Sequence, residues 1–219
     1  MSRLRLYSYW RSSASHRVRI ALQLKGLEYD YVPVHLAAAG GGEQYSAAYR
    51  ALNPQSRVPA LETGEGVLTQ SMAILEWLEE THPGPPLLPR APAARAQVRA
   101  MAQIMVADVQ PLQNTSVGRY LQEQCHLDEA AVDAWRRHWV ARGLTVLEDM
   151  LARGGPPGDY CHGPTPTLAD VCLLPQCASA RRFGLDPAAW PRIARIEKAC
   201  NANAAFQRAA PANQPDAVR

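Results

Sequence analysis

LRLYSYWRSSASHRVRIALQLKG, residues 4–26, changes its periodicity part-way along. Leu4 to Tyr9 is short and rich in aromatics, which fits a strand. Ser15 to Lys25 then reads as a helix, closed by Gly26, a residue favoured just past a helix end. On a wheel of about 100° per residue, Val18, Ile20, Ala21, Leu22 and Leu24 share one broad face, with Arg19 and Gln23 opposite. Arg17 falls among the apolar positions. A guanidinium there needs either an internal ion pair or a ligand.

Outward from this stretch the alternation continues. Tyr29 to Leu36 predicts a second strand, Ala38 to Gly42 a loop and Glu43 to Leu52 a short helix. Arg57 to Leu61 and Val67 to Thr69 read as strands around a turn at Gly64–Gly66. Ser71 then caps a helix reaching about Glu80. The order β-α-β-α-β-β-α gives an α+β sheet layered by helices. HPGPPLLPRAP at 82–92 holds five prolines in eleven residues, which stops any helix and marks a domain boundary. The chain therefore divides into a first domain 1–82, a linker 83–92 and an all-α domain 93–219. Helical spacing in the last covers 93–124, 128–153, 167–183 and 190–210, with a loose tail after Pro211.

Composition narrows the class. The 219 residues are 47% hydrophobic and 20% charged, enough apolar content for a globular core. No apolar run approaches about 18 residues, and Met1 to Tyr9 lacks a signal-peptide core, so a cytoplasmic protein off the membrane is expected. Cys125, Cys161, Cys172, Cys177 and Cys200 are odd in number and form no C-x-x-C pair. They read as ordinary thiols in or near the core, with no metal site. A net charge of +3 is too small to argue for nucleic acid. Six cations and no acid precede Glu28, which on composition favours a solvated basic edge over a small-anion site.

Several residue groups carry potential chemistry. Arg11 to Arg17 lies between a strand and a helix, where unpaired N–H groups and a partial positive charge stabilise anions. Ser12, Ser13 and Ser15 stand there as caps and turn residues or as anion ligands; one cap needs one serine. Val58–Pro59 suits a sheet edge or a cis peptide bond. The Ser71 hydroxyl and the helix start behind it suit a cap or a carboxylate. Thr167 to Asp170 matches a capping box and reads as structural. Pro111 implies a kink in a helical region. Arg181 and Arg182 end a helix, where cations favour the dipole. No Ser-His-Asp order, phosphate loop or dinucleotide fingerprint appears, and the glycines at 40–42 lack nucleotide-loop spacing.

The stretch SSASHRVRIAL at 12–22 closely resembles the signature of zeta-class glutathione transferases. The resemblance continues through ALNPQSRVPAL (51–61), QSMAILEWLE (70–79), QPLQNTSV (110–117), TLADVCLLPQ (167–176), ARRFGLD (180–186) and AFQRAAPANQPD (205–216). It covers essentially the whole chain. It implies a thioredoxin-like N-terminal domain, an all-α C-terminal domain, a homodimer and glutathione as cofactor. By resemblance Val58–Pro59 is the cis-proline turn that pairs with the glutathione cysteinyl backbone, and Gln70 and Ser71 hold the γ-glutamyl end. Ser12 matches the hydroxyl facing the thiol, with Ser13 the alternative; Ala14, Ser15, His16 and Arg17 complete that segment. Gln44 matches another glutathione contact, and Gln110, Asn114, Thr115 and Ser116 match second-domain positions near the ligand. The family's usual cysteine is Ala14 here, and His16 replaces an aromatic; a cysteine-based covalent mechanism at position 14 is thereby excluded, and the isomerase chemistry implied by the resemblance does not need one, because its thiol comes from glutathione.

The activity implied is glutathione-dependent cis–trans isomerisation of maleylacetoacetate to fumarylacetoacetate, a step in aromatic amino-acid catabolism. Arg11 and Arg182 are the candidates for the substrate carboxylates, because guanidinium matches carboxylate geometry. The alternatives are isomerisation of maleylpyruvate, conjugation or dehalogenation of small α-halo acids, and a non-catalytic glutathione-transferase-like binding module. Bacterial maleylpyruvate isomerases carry an arginine where this chain has Ser116, and QPLQN leans toward the maleylacetoacetate branch.

Overall fold

The computed structural model describes residues 3–38, 41–156 and 158–218. Packing divides them into two units, Met1–Pro86 with Asn203–Arg219, and Leu87–Ala202. Of the expected linker, residues 83–86 fall in the first unit and 87–92 in the second, and the segment from Asn203 onward groups with the first unit.

The first unit is a four-stranded sheet in the order β2-β1-β3-β4. Strand β1 (Leu4–Ser8) runs parallel to β2 (Tyr29–Pro33), and the crossover between them is α1 (Ser13–Leu24). A 3₁₀ turn (Glu43–Tyr45) and α2 (Ala47–Leu52) precede β3 (Ala60–Thr63) and β4 (Gly66–Thr69), both antiparallel to their neighbours. Helix α3 (Ser71–Thr81) follows at once. The α+β reading of this unit holds element by element. Ala39 and Gly40 of the expected loop lie outside the described residues. At the loop's end Gly42 has φ 109°, and a side chain there would collide with the Gln44 amide and the Leu36 carbonyl.

Two expectations are overturned in this unit. Arg19 faces no solvent; it is fully buried, because α9 (Ala204–Ala209) covers the polar side of α1 while α3 packs elsewhere along it. Its guanidinium donates to Ser8 Oγ (3.1 Å), Trp10 O (2.9 Å), Tyr9 O (3.3 Å) and Ala209 O (3.1 Å). The chain after Pro211 is likewise no loose tail. Pro211–Asn213 forms a 3₁₀ turn, and Gln214 Nε2 donates to Arg208 O (2.9 Å) and Ala210 O (2.8 Å). Asp216 then accepts from Trp10 N–H (3.0 Å) and the Tyr31 hydroxyl (2.6 Å).

The second unit is all-α. Helix α4 (Pro92–Gln103) passes into a π-helical segment (Ile104–Val109) before Pro111. Proline at 111 lacks an N–H and crowds the carbonyl four residues back, so the ladder widens: Gln110 N–H bonds Met105 O, five residues back, at 3.2 Å. The expected helix 93–124 is thereby broken into α4, the π segment and α5 (Thr115–Glu123). Helices α6 (Glu129–Ala152), α7 (Leu168–Arg182) and α8 (Pro191–Ala202) complete the unit. Gly143 on α6 allows the π segment close, since a Cβ there would strike Val109. The capping box is present: Asp170 accepts from Thr167 N–H (2.8 Å) and Thr167 Oγ (2.8 Å), and its other oxygen takes Cys161 N–H (2.7 Å). Burial raises the Asp170 pKa, and these bonds hold it back. Cys161, Cys172, Cys177 and Cys200 are buried as expected, whereas Cys125 is exposed.

Candidate active site

The sheet register gathers the candidate residues at one end. Tyr7 near the end of β1 pairs with Ala60, the first residue of β3, and Ala60 pairs with Thr69, the last of β4. Three connections therefore emerge together: the Ser8–Ser12 turn into α1, the Val58–Pro59 bond entering β3, and Gln70–Ser71 entering α3. An antiparallel pair beside a parallel one places two helix starts and one loop on the same edge.

Ser12 caps α1. Its Oγ accepts from Ser15 N–H at 3.2 Å, its own N–H bonds Tyr9 O (3.0 Å), and its carbonyl takes His16 N–H (2.8 Å). Because the Ser15 N–H is used by the cap, the helix rule leaves the N–H groups of Ser13 and Ala14 directed beyond the helix start. No acidic residue stands in the first turn to offset the partial positive charge. Ser12, Ser13 and Ala14 are half-buried, while Ser15, His16 and Arg17 lie in the core. Burial holds the His16 pKa well below the usual histidine range, with Arg19 and then Arg17 adding to it, so the ring is neutral.

Val58–Pro59 is a cis peptide bond, as the alternative to an edge proline required. The preceding carbonyl, Arg57 O, accepts from the Tyr49 hydroxyl (2.7 Å) and Asn53 Nδ2 (2.7 Å), which ties the turn to α2. Gln70 has φ 68° and ψ 115°, a conformation that costs a non-glycine residue about 1–3 kcal/mol and is concentrated at ligand sites. Its Nε2 donates to Gln55 Oε1 at 2.7 Å. Ser71 is not the cap of α3: Gln70 occupies that position, and Ser71 is the first helical residue. The Ser71 hydroxyl instead accepts from Arg17 Nη1 at 3.2 Å. The buried arginine thus links the starts of α1 and α3.

The remaining candidates are placed as follows. Gln44 is buried, its Nε2 donating to Gly41 O (3.3 Å) and Leu36 O (3.4 Å). Arg11 is exposed with its guanidinium 5.5 Å from the Trp10 ring centre. In the second unit Asn114 caps α5, its Oδ1 accepting from Ser116 N–H (3.0 Å) and Ser116 Oγ (2.9 Å); Thr115 is the first helical residue. Gln110 follows the π segment. Arg182 ends α7 with its guanidinium 4.6 Å from the Phe183 ring centre, and neighbouring Arg181 pairs with Glu197. Two residues beside the cap escaped sequence reasoning: Arg19, read as the polar side of a helix, and Asp216, read as tail.

The glutathione S-transferase N-terminal domain family matches residues 6–86, and the glutathione S-transferase C-terminal domain family matches residues 129–197. A maleylacetoacetate isomerase from Pseudomonas aeruginosa is 49% identical over 97% of this chain and 98% of its own. A solved maleylpyruvate isomerase, described as a bacterial zeta-class glutathione S-transferase in its holo form, superposes with a TM-score of 0.94. It is 48% identical and covers 98% of this chain and 100% of its own. The chain belongs to the zeta class of the glutathione S-transferase family. A second solved structure agrees: maleylacetoacetate isomerase from Anaeromyxobacter dehalogenans, with glutathione bound in its active site, gives a TM-score of 0.87. Its identity is 49%, covering 99% of this chain and 98% of that one. In glutathione transferase terms the first unit is the thioredoxin-like domain and the second the all-α domain.

The donor set fits glutathione. The tripeptide offers an extended backbone, two carboxylates and a thiol. The sheet end offers a strand entered through a cis-proline, two helix starts without acidic first turns, and a capping hydroxyl at one of them.

Proposed function

We propose that this protein isomerises maleyl dicarboxylates from cis to trans with glutathione as cofactor, with maleylacetoacetate as its substrate. The carrying observation is the half-buried Ser12 at an α1 start that no acid neutralises. Held there, glutathione would supply the nucleophilic thiolate for reversible addition to the conjugated cis double bond. The residues of the chain serve that chemistry as follows. Ser12 Oγ accepts from Ser15 N–H, which leaves its own proton to be donated to a sulfur anion and lowers the thiol pKa. The Ser13 and Ala14 N–H groups add the helix's partial charge. Neutral His16 contributes core packing without a competing charge. Gln70 and Ser71, with the α3 start, take a carboxylate of the tripeptide, and Val58 pairs with its backbone. Arg11 and Arg182 hold carboxylates of the substrate, and Gln110, Asn114, Thr115 and Ser116 contribute second-domain contacts.

Maleylpyruvate is the second reading, supported by the high similarity to a maleylpyruvate isomerase. Purified protein with glutathione, assayed on both substrates, decides by kcat/KM; the expected preference is maleylacetoacetate. Glutathione binding without turnover of either would leave a binding module. We further propose a cytoplasmic homodimer, supported by the class resemblance and testable by sedimentation. Among the described residues, no helix is long and apolar enough to cross a membrane.

A further inference from the structure

Residues 8–10 lead from β1 into the cap of α1, and several of their backbone and side-chain polar atoms are held from outside the turn. The Ser8 carbonyl takes Val34 N–H at 2.7 Å. Arg19 Nη1 reaches Ser8 Oγ and Tyr9 O, and Nη2 reaches Trp10 O. The Trp10 N–H is taken by Asp216 Oδ2 at 3.0 Å. Tyr9 O also receives the Ser12 N–H, so the fixed turn runs directly into the hydroxyl assigned to the thiol.

The segment that delivers Asp216 is AFQRAAPANQPD, residues 205–216, which the proposed chemistry leaves unused. Each part has a visible task. Phe206 and Ala209 are buried on α9, the helix that packs against α1. Ala209 O accepts from Arg19 Nε (3.1 Å). Asn213 Nδ2 donates to Gln207 O (2.7 Å), and Gln214 spans Arg208 O and Ala210 O, closing the turn. Asp216 then arrives with one oxygen for Trp10 and the other for the Tyr31 hydroxyl (2.6 Å) on β2.

We propose that Asp216 and Arg19 are positioning residues for Ser12: the C-terminal segment clamps the Tyr9–Trp10 turn and so sets where the capping hydroxyl meets the glutathione sulfur. The inference rests on the isomerase reading of Ser12. A carboxylate serving only to anchor the segment would be equally well served by Tyr31; the bond to a backbone N–H two residues before Ser12 couples it to the cap.

The test uses the full chain with Asp216→Ala and, as control, Tyr31→Phe, which removes the hydroxyl's bonds to the carboxylate and to Ser8 and spares the bond at the Trp10 N–H. Three quantities are read: amide hydrogen exchange at Trp10 and Ser12, the pKa of bound glutathione by thiolate absorbance, and kcat and KM on maleylacetoacetate. Asp216→Ala should speed exchange at both amides about tenfold and leave α6 unchanged. It should raise the bound thiol pKa by about one unit and lower kcat about tenfold, short of the ~10²-fold that a 1 Å misplacement can cost. KM for glutathione should stay within about twofold, and Tyr31→Phe should keep kcat within about the same factor. If the wild type isomerises nothing, the functional reading fails, while exchange and thiol titration still decide the clamp. The clamp is overturned if Asp216→Ala leaves the thiol pKa and the two amides unchanged, or if Tyr31→Phe reproduces every effect of Asp216→Ala.

Discussion

Replacing Ser12 with alanine removes two functions of one hydroxyl, and they have different sizes. As a cap, Oγ satisfies the Ser15 N–H at 3.2 Å, and such a cap is worth about 1 kcal/mol. In a chain of this length that loss lowers Tm by roughly 2–4 °C. As a donor to the thiolate, its loss costs about 2.7–4 kcal/mol in the chemical step, or ~10²–10³ in kcat. The folded fraction barely changes at assay temperature, so the cap term cannot account for the kinetic term. Ser12→Asp separates them further. Aspartate is as good a cap as serine, so Tm should stay near the wild-type value. Its carboxylate donates no proton at neutral pH and repels a sulfur anion, so kcat should fall at least as far as in Ser12→Ala. The assay is steady-state isomerisation beside calorimetric Tm, with glutathione affinity measured by titration. Near-normal turnover in Ser12→Ala would refute the assignment and pass the role to Ser13.

Ser71→Ala should weaken glutathione binding and, by removing the acceptor for the buried Arg17 Nη1, cost about 1.5–3 kcal/mol; calorimetry reads both. Arg182→Ala should lower kcat/KM about tenfold for dicarboxylate substrates, much less for an uncharged electrophile, and leave glutathione affinity alone. His16 has a folded pKa below its unfolded value near 6.5, so its contribution is full above about that pH and is lost as pH falls toward the folded value. Urea titrations between pH 7 and 5 should show stability dropping by up to about 1.4 kcal/mol per pH unit, and His16→Gln should flatten that slope.

Local pattern revealed much of this protein. The strand-to-helix change at 4–26, the hairpin and the proline-rich break each follow from periodicity and backbone chemistry, and each is present. The cis bond at Val58–Pro59 was legible as one of two ways to place proline among apolar strand residues. What escaped was carried by distant partners. Arg19 looks solvated on a helical wheel because the wheel knows only one apolar face; its acceptors include a carbonyl 190 residues away. Asp216 gives no local signal, since an acid after a proline near a terminus has the composition of a tail. Ser71 has the residue type of a cap, yet the positive φ at Gln70 moved the helix boundary by one, and Arg17 took the hydroxyl. Pro175 inside α7 is a further case: it is buried in a helix that periodicity alone describes as unbroken.

The return of the C-terminal segment also sets an order of events at the ribosome. Residues 1–86 are synthesised first, but Arg19 lacks its Ala209 acceptor, and Trp10 and Tyr31 lack Asp216, until residues 203–216 have emerged. The second unit, contained within 87–202, has all its own residues earlier. Vectorial synthesis ordinarily lets the leading domain finish first. Here the half made first is closed last, and a nascent chain stalled before residue 203 carries an α1 whose arginine-bearing side has nothing to cover it.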